Sequence, residues 1–249
     1  MSEPDLSKLD KPTPMSDLTS SISFGLKWNG TLINRPSHGA LVHEIIARWA
    51  YLEMITSLSL ALLLDVKAES AIQMLQAVKN NNLKIQMIRK ALNVELKGDE
   101  KFTAIALLNH IGKLTKTRNI IVHDVWAESD KFPDIAFSVK PIEILSSSAN
   151  HRGSKSRGEI FKARFTNFDN VTAFSVRSLE NILEDVNFAI KLMSTFNGAQ
   201  VAEVKRSRDY RFHWLREQSQ IYLNLPKEAP QKKNAVQSKK TKQKKQPQS

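Results

Sequence analysis

The chain has 249 residues, 41% of them hydrophobic, and its 37 Lys and Arg against 25 Asp and Glu give a formal net charge of +12. That length fits one large domain, or one domain with an insertion, and the absence of cysteine excludes a disulfide scaffold, a thiolate zinc site and a cysteine nucleophile. The acidic, proline-bearing start lacks the basic-then-apolar order of a signal peptide; the longest apolar stretch, the 11 residues Met54 to Leu64, is too short for a membrane span, so a soluble, cytoplasmic protein with no membrane partner is expected.

Residues 1–20 read as a disordered end and residues 21–222 as one domain. Ile22, Phe24, Leu26 and Trp28 alternate and run into Asn29-Gly30, which predicts a hairpin. From about Gly39 the period becomes helical, with Val42, Ile45, Trp49, Leu52 and Ile55 on one stripe to about Leu64. Further helices are predicted at 68–78, 83–96 and from Glu100 to about Val125, punctuated by Asn80-Asn81-Asn82 and Gly98. Between about 132 and 168, Ile135, Phe137 and Val139 alternate, as do Phe161, Ala163 and Phe165, with the loop SSSANHRGSKSRG between them. This predicts a β-hairpin inserted into a helical protein, able to pair with the Ile22 to Ile33 hairpin into a small sheet. Asp169 or Asn170 is the expected cap of a long helix carrying Phe174, Leu179, Ile182 and Val186, which Gly198 ends or bends. A last helical segment spans Ala199 to about Tyr222. The fold class is therefore mainly α: a helical bundle with a small β insertion and disordered termini.

The final 23 residues, 227–249, hold eight lysines and one glutamate, so +7 of the +12 belongs to them. With so few apolar side chains the tail cannot offset its ordering entropy and is expected to be disordered. Lys239, Lys240, Lys244 and Lys245 read equally as an arm for polyanions and as a solubilising tail.

No glycine-rich phosphate loop, His-Glu-x-x-His, Gly-x-Ser-x-Gly or metal-spaced ligand cluster is present. The distinctive segment is LLNHIGKLTKTRNIIVHDVW on the fourth helix. Ala104, Leu107, Leu108, Ile111, Leu114, Ile121 and Val125 form an apolar stripe, and Arg118 falls within about 20° of Ile111 on it. A guanidinium there needs a carboxylate partner, a wet cleft or a ligand. Asn119 and His123 share one helix face, whereas Arg118 and His123 are about 140° apart and converge only where the helix bends or ends, or across a partner surface. A core arginine paired with a carboxylate, with His123 favourably placed at the helix C-terminus, accounts for the same pattern.

Arg118-Asn119-Ile120-Ile121-Val122-His123, followed by Asp124 and Trp126, resembles the Arg-[Asn/Asp/His]-x-x-x-His motif of the HEPN superfamily, small helical bundles that include many metal-independent ribonucleases. The resemblance covers about Gly39 to Val125 and Asp169 to Phe196. It implies RNA cleavage by internal transesterification without metal or other cofactor. His123 would be the general base, Arg118 the stabiliser of phosphorane charge, and Asn119 a hydrogen-bonding orienter. It also implies a homodimer in which two motifs face one cleft, and a setting in defence or toxin–antitoxin systems with a cognate inhibitor protein. The alternative is a non-catalytic HEPN-like module that binds RNA or protein.

Weaker candidates flank this motif. Some HEPN members carry an accessory acidic residue upstream, and His43, Glu44, Arg48 and Glu53 lie on the first long helix; Glu44 and Arg48 also read as a plain i,i+4 surface pair. His110 reads as a boundary residue. Arg152, Lys155 and Arg157 in the loop are candidate RNA phosphate contacts, or simply a solvated hairpin tip. Lys205, Arg206, Arg208, Arg211 and Arg216, interleaved with Tyr210, Phe212 and Trp214, suggest an RNA-binding helix, but Glu203, Asp209 and Glu217 dilute the charge and favour an amphipathic packing helix.

Overall fold

A computed structural model describes residue 6 and residues 9–18, 25–27, 30–144, 163–164, 170–202 and 205–222. The loop bases Arg152, Lys155 and Arg157 and the tail lysines 239, 240, 244 and 245 lie outside these residues. In chain order the helices are α1 (Met15–Leu18), α2 (Thr31–Asn34), α3 (Pro36–Leu64), α4 (Ala68–Ala77), α5 (Asn81–Glu95), α6 (Gly98–His123), α7 (Val176–Gln200) and α8 (Lys205–Tyr222). The strands are β1 (Thr13–Pro14), β2 (Gly25–Leu26), β3 (Val125–Ser129), β4 (Phe132–Val139), β5 (Ala163–Arg164) and β6 (Val171–Ser175). The chain is mainly α with one small antiparallel sheet of order β1-β6-β4-β3, and β2 pairs separately with β5.

The long helices form a bundle around α3, whose stripe Val42, Ile45, Trp49, Leu52 and Ile55 is buried against its neighbours. By length and apolarity α3 is the one helix among the described residues that could cross a membrane; in this fold it is the central helix of the bundle. Pro36 starts it, a position where the missing N–H costs nothing. Gly39 is required by close packing, because a Cβ there would lie 2.6 Å from the Leu32 carbonyl oxygen. At the C-terminal end of α3, Asp65 adopts the left-handed conformation (φ 51°) that closes many helices. Ion pairs from Arg216 to Asp99 (2.6 Å) and Arg208 to Glu100 (2.9 Å) hold α8 on the first turn of α6, while Phe212 and Leu215 enter the core.

The sheet alternates between two cores. Trp126 and Phe174 face the bundle, with ring centroids 5.1 Å apart, whereas Ala127, Ile135, Phe137, Val171 and Ala173 pack on the other side with Leu6 and Met15. The expectation of a structureless residue 1–20 segment is thereby corrected, because Leu6 and Met15 are buried and Thr13–Pro14 extends the sheet beside β6. Few apolar residues are enough here, since the sheet supplies most of the surface they cover.

The inserted hairpin is also corrected. β4 pairs with β3 and β6 instead of with Ala163–Arg164, while Ala163–Arg164 pairs with Gly25–Leu26, as the expected link to the 22–33 segment has it. β3 was hidden because Val125 continues the helical stripe of α6, and β6 because Phe174 fits that of α7. The β-branched pair Val171-Thr172 favours a strand, and the helix begins after Ser175, whose hydroxyl accepts from the Ser178 N–H; Asp169 and Asn170 are not its cap. Gly30 has the left-handed backbone of the predicted turn (φ 75°), yet Thr31–Asn34 then coils into helix, with Thr31 and Asn34 bonded to Trp126 and Glu128 of β3. No returning hairpin strand follows it. Gly198 does not end α7, which runs on to Gln200; its bare Cα makes room for the Arg211 guanidinium.

Candidate functional site

α6 is regular helix up to His123, its last residue, and the sheet fixes that end. The Asp124 N–H donates to the Ile120 carbonyl (3.1 Å), the Trp126 indole N–H to the Ile121 carbonyl (3.1 Å), and the Ser138 hydroxyl to Asp124 Oδ2 (2.8 Å). Carbonyls that a helix C-terminus leaves open thus gain partners from β3, and the motif sits on a braced terminus.

Arg118 is half-buried, and its guanidinium donates to the neighbouring Asn119 Oδ1 at 3.3 Å. Among the described residues no carboxylate lies in ion-pair range of it, so the paired core arginine is not what is found. Asn119 and His123 are exposed. The helix does not kink between Arg118 and His123, so the two side chains leave it about 140° apart.

The register of the neighbours explains how an arginine stands on an apolar stripe. Arg89 of α5 donates to Asn109 of α6 (2.7 Å), and this antiparallel pairing puts the first residue of α5 level with Thr117. Beyond that point α5 no longer covers α6. Ala104, Leu107, Leu108 and Ile111 are buried, whereas Val122, on the same stripe, is 37% exposed. α3 shows the same loss of cover: Ile46, seven residues before Glu53 on one face, is 41% exposed. α3 and α6 run antiparallel here, because Trp49 and Glu53 meet Ile111 and Thr115 while the turn before α3 contacts Trp126. Ile46 of α3 and Val122 of α6 are thus left exposed at the end of the bundle where α6 carries Arg118.

A pocket of about 270 Å³ lies between α3, α4, α5 and α6, with Trp49, Glu53, Lys84, Ile85, Ile111 and Thr115 in its lining. The sequence reading missed this pocket; its one legible trace was Trp49 and Glu53 at i,i+4 spacing, which the structure joins through an indole N–H to Glu53 Oε1 bond of 2.7 Å.

The other candidates settle more plainly. Glu44 and Arg48 pair with each other at 2.7 Å, and His43 is exposed. His110 packs edge-on against Phe188; burial lowers its pKa below the ordinary 6.5, opposed by Asp185, whose own carboxyl burial pushes upward. On α8, Arg208 and Arg216 are spent on α6 and Phe212, Trp214 and Leu215 pack on the core, while Tyr210 is exposed, so it is mainly a packing helix. Among the described residues, no group of three or more histidines and carboxylates is placed to hold a metal ion. The chain matches no protein-family model, and comparisons with curated proteins and with solved structures find no match.

Proposed function

We propose that the chain is a metal-independent endoribonuclease of HEPN type in which Arg118 and His123 act on the RNA backbone. The observation that carries this reading is Arg118: a guanidinium on a core-type stripe, half-buried and without a carboxylate partner among the described residues. Such a group is matched to non-bridging phosphate oxygens. His123 removes the proton of a ribose 2′-hydroxyl; that oxygen attacks phosphorus, and the 5′-oxygen of the next nucleotide departs with a proton. The products are a 2′,3′-cyclic phosphate and a free 5′-hydroxyl.

The 140° between the two side chains favours a homodimer in which the Arg118 of one copy and the His123 of the other meet across a shared cleft. The exposed apolar residues Ile46 and Val122 suit such a face. The lysine tail adds phosphate affinity without taking part in the chemistry. A cytoplasmic role in defence or toxin–antitoxin biology, with an inhibitor protein, belongs to this reading. The same angle also supports a second one, a non-catalytic RNA-binding module, should the chain remain monomeric.

Wild type and His123→Ala incubated with total RNA in excess EDTA discriminate between them. The nuclease reading expects cyclic-phosphate ends from wild type alone. Equal cutting by both proteins would refute the assignment of His123, and no cutting together with salt-sensitive RNA binding would favour the module.

A further inference from the structure

The pocket between α3, α4, α5 and α6 has a hydrogen-bonding inventory rich in acceptors. The Thr56, Ser57 and Thr115 hydroxyls each give their single proton to a carbonyl of their own helix, at 2.7, 2.8 and 2.9 Å. The Trp49 indole N–H is spent on Glu53 Oε1. These four side chains therefore offer lone pairs and no free protons, and the donors of the lining are the Lys84 ammonium and the Gln76 amide. Glu53, steadied by the indole, keeps its second carboxylate oxygen free among the described residues, and Lys84 lines the same pocket without pairing to it. Ile85, Ile88 and Ile111 complete an apolar slot.

A ligand that fits presents two N–H donors to the carboxylate, an acceptor to the ammonium and a flat apolar body to the isoleucines. We propose that this pocket binds a guanine base, with N1–H and N2–H on Glu53, O6 facing Lys84 and the ring between the apolar walls. Its place one turn of α6 from Arg118 gives the site a purpose. Thr115 lies in the pocket wall, and Arg118 follows on the same stripe about 4.5 Å further along the helix axis. A nucleotide whose base enters the pocket can present its phosphate to Arg118. The choice of a nucleic-acid ligand rests on the RNA reading of Arg118, and the site then selects guanine next to the cleaved bond. Uracil, with one ring N–H and no amino group, is the poorest match.

The test titrates the full chain with guanosine, adenosine, cytidine and uridine 3′-monophosphates, following Trp49 quenching with Trp49→Phe as the blank. A parallel arm uses 2′-deoxy oligonucleotides holding one guanine or none, which cannot be cut. The guanine nucleotide should bind about tenfold tighter than uridine monophosphate, and Glu53→Gln, checked for folding by thermal unfolding, should abolish that preference. Preference in the mononucleotide arm alone would assign the pocket to a free nucleotide instead of an RNA base and overturn the link to Arg118. Equal binding of all four, or a preference that survives in Glu53→Gln, would overturn the inference. The two proposals fail separately: RNA cut with no guanine at the new ends removes the pocket assignment and leaves the nuclease, while guanine binding without cutting does the reverse.

Discussion

The apolar stripe of α6 passes through two environments. From Ala104 to Ile111 it is covered by α3, α5 and α7, and its side chains are buried. From Thr115 to Val122 the same stripe carries a hydroxyl, a guanidinium and a partly exposed valine, because α5 begins level with Thr117 and leaves the last turns open. Ile121 remains buried on the flank and Trp126 ties down the final turn, so the uncovered half stays helical. A charge on an apolar stripe is therefore no conflict where the stripe outruns its cover: one periodicity serves packing at one end and a partly exposed guanidinium at the other.

Mutations can break that contrast. Leu108→Ala, in the covered half, should lower unfolding stability by about 2–5 kcal/mol in denaturant titrations; a loss below about 1 kcal/mol would mean that this half is not packed as described. Trp126→Phe keeps most of the ring contact with Phe174 but loses the bond to the Ile121 carbonyl, which should cost about 1 kcal/mol and speed amide exchange in the last turn of α6. Unchanged exchange there would show that the sheet does not brace the motif.

The anchoring side also predicts a pH dependence. His38 is buried with its Nε2–H donating to the Phe174 carbonyl, and burial lowers its pKa below 6.5, reinforced by Arg35 and opposed by that hydrogen bond and by Asp134. Above pH 6.5 the ring is neutral in both folded and unfolded chains and contributes no slope. As pH falls below 6.5 the unfolded chain takes up the proton first, so stability declines until the folded ring also protonates. Wild type should thus lose more stability between pH 7 and 5 than His38→Gln, and identical profiles would contradict the burial of a neutral ring. The smallest effect belongs to the open half: Arg118→Leu should change stability by no more than about 0.5 kcal/mol.

Helical periodicity made α3 to α6 legible within a few residues, since each buries one face against the bundle. The strands were less so. Val125 and Phe174 satisfy a helical and an extended pattern alike, and only pairing with β4 decides between them. Met15 and Leu6 looked like scattered apolar residues because the surface they cover comes from β4 and β6, more than a hundred residues away. At the site, the sequence singled out Arg118 as a charge out of place but could not say whether a carboxylate met it. That depended on where α5 starts relative to α6, a register no local pattern encodes. Glu53 was legible only as one acidic candidate on the first long helix, and its meeting with Lys84 was not, as the two come together only across α3 and α5.

The central claim is that Arg118 serves a ligand and not the fold. It is tested most directly by measuring thermal unfolding and RNA cleavage in EDTA on the same preparation of Arg118→Ala. The account predicts an unfolding temperature close to that of wild type and cleavage reduced by about a hundredfold or more. A strongly destabilised protein, or one that is equally stable and cuts as fast as wild type, would contradict it.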